Sequence, residues 1–132
     1  EGPRYLVTYE VDEVGTLTSE AYLSRLNNPT PWTREVTATM QGMARTLCRV
    51  TGSFGAGFGS TLLLIRLSPL PGKAETLRQW LSTEGLSGLV DERGLVSASL
   101  VEGDREASSV ESEEKRVRGR PDDIADWIIT RA

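Results

Sequence analysis

The chain has 132 residues, 38% hydrophobic and 26% charged, a composition that fits one globular domain folding without staples and excludes a disordered or fibrous polymer. A formal net charge of -4 repels a phosphate backbone, so nucleic acid is not an expected partner. The absence of histidine removes imidazole as general base, as partner of a catalytic serine or cysteine, and as haem ligand.

The opening residues, Glu1-Gly2-Pro3-Arg4, carry none of the charged and apolar regions of a secretory leader, and a cytoplasmic address is expected. Tyr5 to Val11 alternates, with Tyr5, Val7, Tyr9 and Val11 on one side and Leu6, Thr8 and Glu10 on the other. This pattern predicts a first strand with both faces covered. After the polar turn Asp12 to Thr16, Thr18 is the expected cap of a short helix carrying Glu20, Tyr22, Leu23 and Leu26, which Asn27-Asn28-Pro29 stops. Thr30-Pro31 reads as the cap and first position of a second helix. Trp32, Val36, Met40 and Met43 fall on one stripe of it, expected to be buried.

Arg45 to Thr51 and Ser60 to Leu67 read as two strands of a hairpin, joined by the glycine-rich loop Gly52 to Gly59. That loop fits neither a dinucleotide turn nor a phosphate loop, because a strand follows it and no Gly-Lys-Ser/Thr ends it. It reads as a flexible tip, or alternatively as a lid in which Phe54 and Phe58 close on an apolar ligand. The longest apolar run, Leu62 to Ile65, is stopped by Arg66, far short of the roughly 20 residues of a membrane span, so no membrane partner is expected. Lone Cys48 lies in a strand without a histidine to generate its thiolate and reads as a structural thiol in a reducing compartment.

Lys73 to Glu84 has helical spacing, with Gly85 as its expected stop. Leu95 to Glu102 alternates as a further strand, placing Val96, Ala98 and Leu100 opposite Ser97, Ser99 and Val101. Residues 103–123 are charged and aperiodic and are expected to form a flexible loop; the basic cluster Lys115 to Arg120 is offset there by Glu111, Glu113 and Glu114. Residues 124–132 read as a final strand. Asp122-Asp123-Ile124-Ala125-Asp126 resembles a diphosphate-binding aspartate motif but lies beside a proline and a strand rather than on a helix, so no metal is expected.

The fold class expected is α+β: a ferredoxin-like βαββαβ antiparallel sheet over residues 4–102, with an extra C-terminal strand. Arginines inside apolar strands are costly unless paired, so Arg49 and Arg66 either reach solvent at sheet edges or pair structurally with a carboxylate such as Glu10, or else anchor an anionic or enolic ligand in an apolar pocket.

The strand Tyr5 to Glu10, the segment Asn28-Pro29-Thr30-Pro31-Trp32-Thr33 and the strand Arg45 to Val50 resemble those of the dimeric α+β barrel superfamily. That superfamily includes antibiotic-biosynthesis monooxygenases, EthD-like proteins and stress-responsive barrel proteins. The resemblance covers residues 4 to 102 as an order of elements. It implies a homodimer of facing sheets with a cavity between each sheet and its helices, and small apolar or aromatic molecules as ligands. On that basis the expected function is that of a small-molecule enzyme working without metal or cofactor on aromatic or polyketide-like compounds. Arg49 or Arg66 would stabilise enolate charge and Glu10 or Tyr9 would exchange a proton. Trp32, Tyr22, Phe54 and Thr8 would line the cavity. A non-catalytic ligand-binding barrel and a protein-interaction module that joins a partner by strand addition stand as alternatives.

Overall fold

The computed structural model describes residues 5–57, 59–119 and 123–132. Phe58 of the expected lid and Asp122 of the aspartate motif lie outside these residues. The chain divides into two compact units, Glu1–Leu47 with Asp104–Ile124, and Cys48–Gly103 with Ala125–Ala132.

In the first unit Tyr5 to Val11, expected as the first strand, belongs to no helix or strand. A 3-10 turn, Val14–Thr18, leads into α1 (Glu20–Asn27). Ser19, rather than Thr18, caps α1: its hydroxyl accepts from the Tyr22 amide at 3.3 Å, and Glu20 sits favourably in the first turn. As expected, Thr30 caps α2 (Pro31–Thr39), accepting from the Thr33 amide at 3.1 Å with Pro31 in the first turn.

The stripe predicted on α2 does not bury. The helix ends before Met40, whose φ of -70° and ψ of 127° are those of extended backbone, so Met40 and Met43 leave the helical spacing; Thr37 is the buried residue. Residues 103–123, expected as a loop, contribute α5 (Arg105–Ser108) and α6 (Glu113–Arg118), numbered after the two helices of the second unit. Asp104 and Ser112 cap them, accepting from the amides of Ala107 at 2.9 Å and Lys115 at 3.3 Å. Glu113 ties three helices together: its amide donates to the Asn27 side chain at 3.0 Å, and its carboxylate meets Arg34 at 3.3 Å and Arg116 at 3.2 Å. The Ser108 hydroxyl is buried and exchanges hydrogen bonds with the Leu47 backbone.

The second unit is a four-stranded sheet of β1 (Cys48–Gly55), β2 (Leu63–Leu67), β3 (Ser97–Gly103) and β4 (Trp127–Arg131), in the order β1-β3-β4-β2 with every neighbouring pair antiparallel. The fold is thus α+β with an open antiparallel sheet. Two expectations change. The predicted hairpin strands β1 and β2 occupy opposite edges, and the final strand, expected as an addition, sits inside the sheet. β4 is apolar on both faces through Trp127, Ile128 and Ile129, which suits an interior strand, whereas β1 carries Gly52, Ser53 and Gly55 and suits an edge.

One sheet face packs against a continuous helical segment: α3 (Ala74–Trp80), a π turn (Leu81–Gly85) and α4 (Leu86–Val90). Gly85, predicted to stop the helix, lies inside it. Leu81, Leu86, Ala98, Leu100, Trp127 and Ile129 form the core, with Phe54, Leu67 and Leu77 packed around them. A Cβ on Gly52 would stand 3.0 Å from Leu86 Cδ1, so the missing side chain lets α4 approach β1 closely. The opposite face carries Val50, Val101 and Ile128 in register across three strands, and Val50 is exposed.

Candidate functional site

A cleft of about 220 Å³ lies at one end of the second unit. Residues Gly59, Ser60, Thr61 and Leu63, from the β1–β2 connection into β2, form one wall, while Gly94 and Leu95 precede β3 and Arg131 and Ala132 end β4. Backbone pairing fixes these walls. Ala132 donates to the Ser97 carbonyl at 3.0 Å, and its own carbonyl accepts from Val96 at 2.7 Å and Ser97 at 3.2 Å. The glycine-rich loop passes close to β4: a Cβ on Gly59 would stand 2.8 Å from the Ala132 carbonyl carbon, a position only glycine fills.

Arg131 is the charged group of this cleft, held by pairing with Leu63 on one side and Ala98 on the other. Its Nε is buried with no hydrogen-bond acceptor among the described residues. A buried donor without an acceptor is costly. Chemically the cleft therefore offers a fixed cation, two hydroxyls from Ser60 and Thr61, and an apolar wall from Leu63 and Leu95. That combination suits a small anion with an apolar body.

A second charged cluster is internally satisfied. Arg78 of α3 makes a two-pronged bridge to Glu102 of β3, Nε to Oε1 at 2.6 Å and Nη2 to Oε2 at 2.8 Å, and also meets Glu75. Its guanidinium lies 5.2 Å from the centroid of the Trp127 ring. The hydrogen bonds from Arg78 hold the Glu102 carboxyl below its ordinary range, against the opposing effect of burial. This pair fastens α3 to the sheet.

The sequence-predicted site residues are dispersed. Arg49 and Arg66 stand on opposite edge strands and, by the pleat, on opposite faces: Arg49 is in register with Glu102 and Arg66 with Ile128, neighbours of buried Trp127 and half-buried Val101 respectively. The structure does not bring these two into one pocket. Thr8, Tyr9 and Glu10 are exposed on the first segment, and Trp32 is 72% exposed on α2. Tyr22 is half-buried on α1, its hydroxyl accepting from Arg45 Nη2 at 3.4 Å. Phe54 packs against the core of the second unit instead of standing at a loop tip. Burial pushes the Cys48 thiol up, which disfavours the thiolate. Among the described residues no three His, Cys, Asp or Glu side chains gather as a metal site requires, and no helix is long and apolar enough to cross a membrane.

Sequence reasoning missed Arg131 and the Arg78–Glu102 bridge. Continuing the alternation of β3 places Glu102 on the buried face with Leu100, a charge in need of a partner; for Arg131 the one signal is an arginine closing an apolar strand. No protein-family model, curated protein or solved structure matches this chain.

Proposed function

We propose that the protein is a small-molecule-binding module, working as a homodimer, whose cleft takes a small organic anion on Arg131. The observation that carries this reading is the buried Arg131 Nε without an acceptor, beside a cleft of about 220 Å³. A carboxylate supplies the acceptor, and an aromatic body fits the apolar wall of Leu63 and Leu95. The resemblance to dimeric α+β barrels supports the same ligand class, small apolar or aromatic molecules. Binding is favoured over turnover because the proton-exchange candidates Tyr9 and Glu10 lie on the exposed first segment.

Benzoate is the probe. Titrated into nitrogen-15-labelled protein, it should shift the amide signals of Gly59, Ser60, Thr61, Gly94 and Ala132 in a saturable way. Arg131→Met, which keeps an unbranched side chain and removes the charge, should weaken that binding at least tenfold. Absence of a saturable shift in the wild type, or the same affinity in Arg131→Met, would overturn the reading.

A further inference from the structure

Among the described residues, the first unit carries a strand-patterned segment that joins no strand, and the second carries a sheet edge with no strand on its outer side. Tyr5 to Val11 alternates over seven residues yet forms no strand; Tyr5 is 82% exposed, Val7 69% and Tyr9 80%. β2 is an edge of the sheet with Leu63, Leu64 and Ile65 at 49%, 36% and 38% exposure. The other edge, β1, is protected by an irregularity between Val50 and Gly52 and is poor in large apolar residues. β2 runs in unbroken register with β4 over all five of its residues, and no strand pairs with its outer side among the described residues. A regular, apolar, unprotected edge is a template for strand addition.

We infer that Tyr5–Val11 of one copy adds to the β2 edge of a second copy, so that this strand exchange forms the homodimer. Side-chain patterning fixes the faces. With Tyr9 opposite Ile65, a parallel register sets Val7 against Leu63 and Val11 against Leu67, and an antiparallel one exchanges those two partners. In both, every apolar residue on the Tyr9 side lies with the core-facing side of β2, and Glu10 shares a face with Arg66 of opposite charge. A one-residue slip would move Glu10 onto the core-facing side, so the pattern itself selects the pairing. This inference rests on the homodimer proposed above and names its interface.

The test is sedimentation of the full chain and of a Thr8→Pro/Tyr9→Pro variant. Neighbouring N–H groups of a strand point to opposite edges, so the two prolines remove a donor toward β2 in either register. Both positions are exposed and outside regular structure, which leaves the rest of the fold intact, as circular dichroism would check. Expected is a dimer for the wild type and a monomer for the variant. A monomeric wild type would overturn the homodimer and the exchange together, whereas a variant that stays dimeric would leave the homodimer standing and overturn the exchange. Mixing a Tyr9→Cys chain with an Ile65→Cys chain, both in a Cys48→Ser background, should yield a disulfide-linked pair under mild oxidation. If no such pair forms, and one chain bearing both cysteines links only to itself, the segment pairs within its own copy and the inference is lost.

Discussion

Glu102 illustrates how one side chain sets a pH response. Its carboxyl is held low by the hydrogen bonds from Arg78, so it binds a proton less readily folded than unfolded. Its stabilising contribution is therefore complete above the ordinary glutamate range, near pH ~4.3, and is lost as pH falls through the lower, folded value. Glu102→Gln should accordingly melt below the wild type at pH 7, and the gap should narrow as pH falls below about 4.3 toward the lower folded value, beneath which the wild-type carboxyl is also neutral. A gap that stays constant across thermal melts from pH 7 to pH 3 would show that the loss comes from packing and not from the charge. Arg78 belongs to the same argument, since it bridges Glu102 and Glu75 while lying over Trp127, so truncating it would remove packing as well as charge.

At the scale of elements, local chemistry was read where it is local. Thr30-Pro31 opens α2 because the hydroxyl and the ring do their work within one turn, and the alternation of Ser97 to Val101 declares β3 because Ala98 and Leu100 must share a buried face. Partner choice was not legible: β1 and β2 look like a hairpin from their glycine-rich connection, yet β3 and β4 come between them, and no local pattern encodes that. Arg131 escaped notice for the same reason, because its cleft is assembled from three separate stretches of chain. Gly55, at the end of β1, shows the backbone condition such assembly imposes. Its φ is +79°, and a Cβ there would stand 2.2 Å from the Val96 carbonyl oxygen. Gly55→Ala should cost more than about 2 kcal/mol, combining left-handed strain with a backbone clash that no rotamer relieves. Urea unfolding measures it, and a loss below about 0.5 kcal/mol, the size of an ordinary surface change, would show that the β1 end yields freely.

For the whole molecule, the two units differ in what holds them. The second has a sheet whose central strands bury Ala98, Leu100, Trp127 and Ile129 against Leu81 and Leu86, so opening β3 or β4 exposes the entire core. The first buries Val14, Thr37, Leu47, Ser108 and Ser112, largely small or polar side chains, and relies on helix caps and the exposed ion pairs of Glu113. Exposed pairs of that kind contribute up to about 1 kcal/mol each, and a cap typically about 1 kcal/mol, well short of what burying several large apolar side chains supplies. Hydrogen exchange should therefore separate the units: amides of β3 and β4 exchange only through global unfolding, while those of α1, α2 and α6 exchange through local opening, faster by at least tenfold at neutral pH. Mildly destabilising urea should then speed exchange in β3 and β4 steeply and leave α1 and α2 nearly unchanged, because local opening exposes little surface. Equal protection and equal urea dependence in both units would mean that they unfold as one cooperative body. In that case the stability of the first unit would have to come from interactions beyond its own caps and ion pairs.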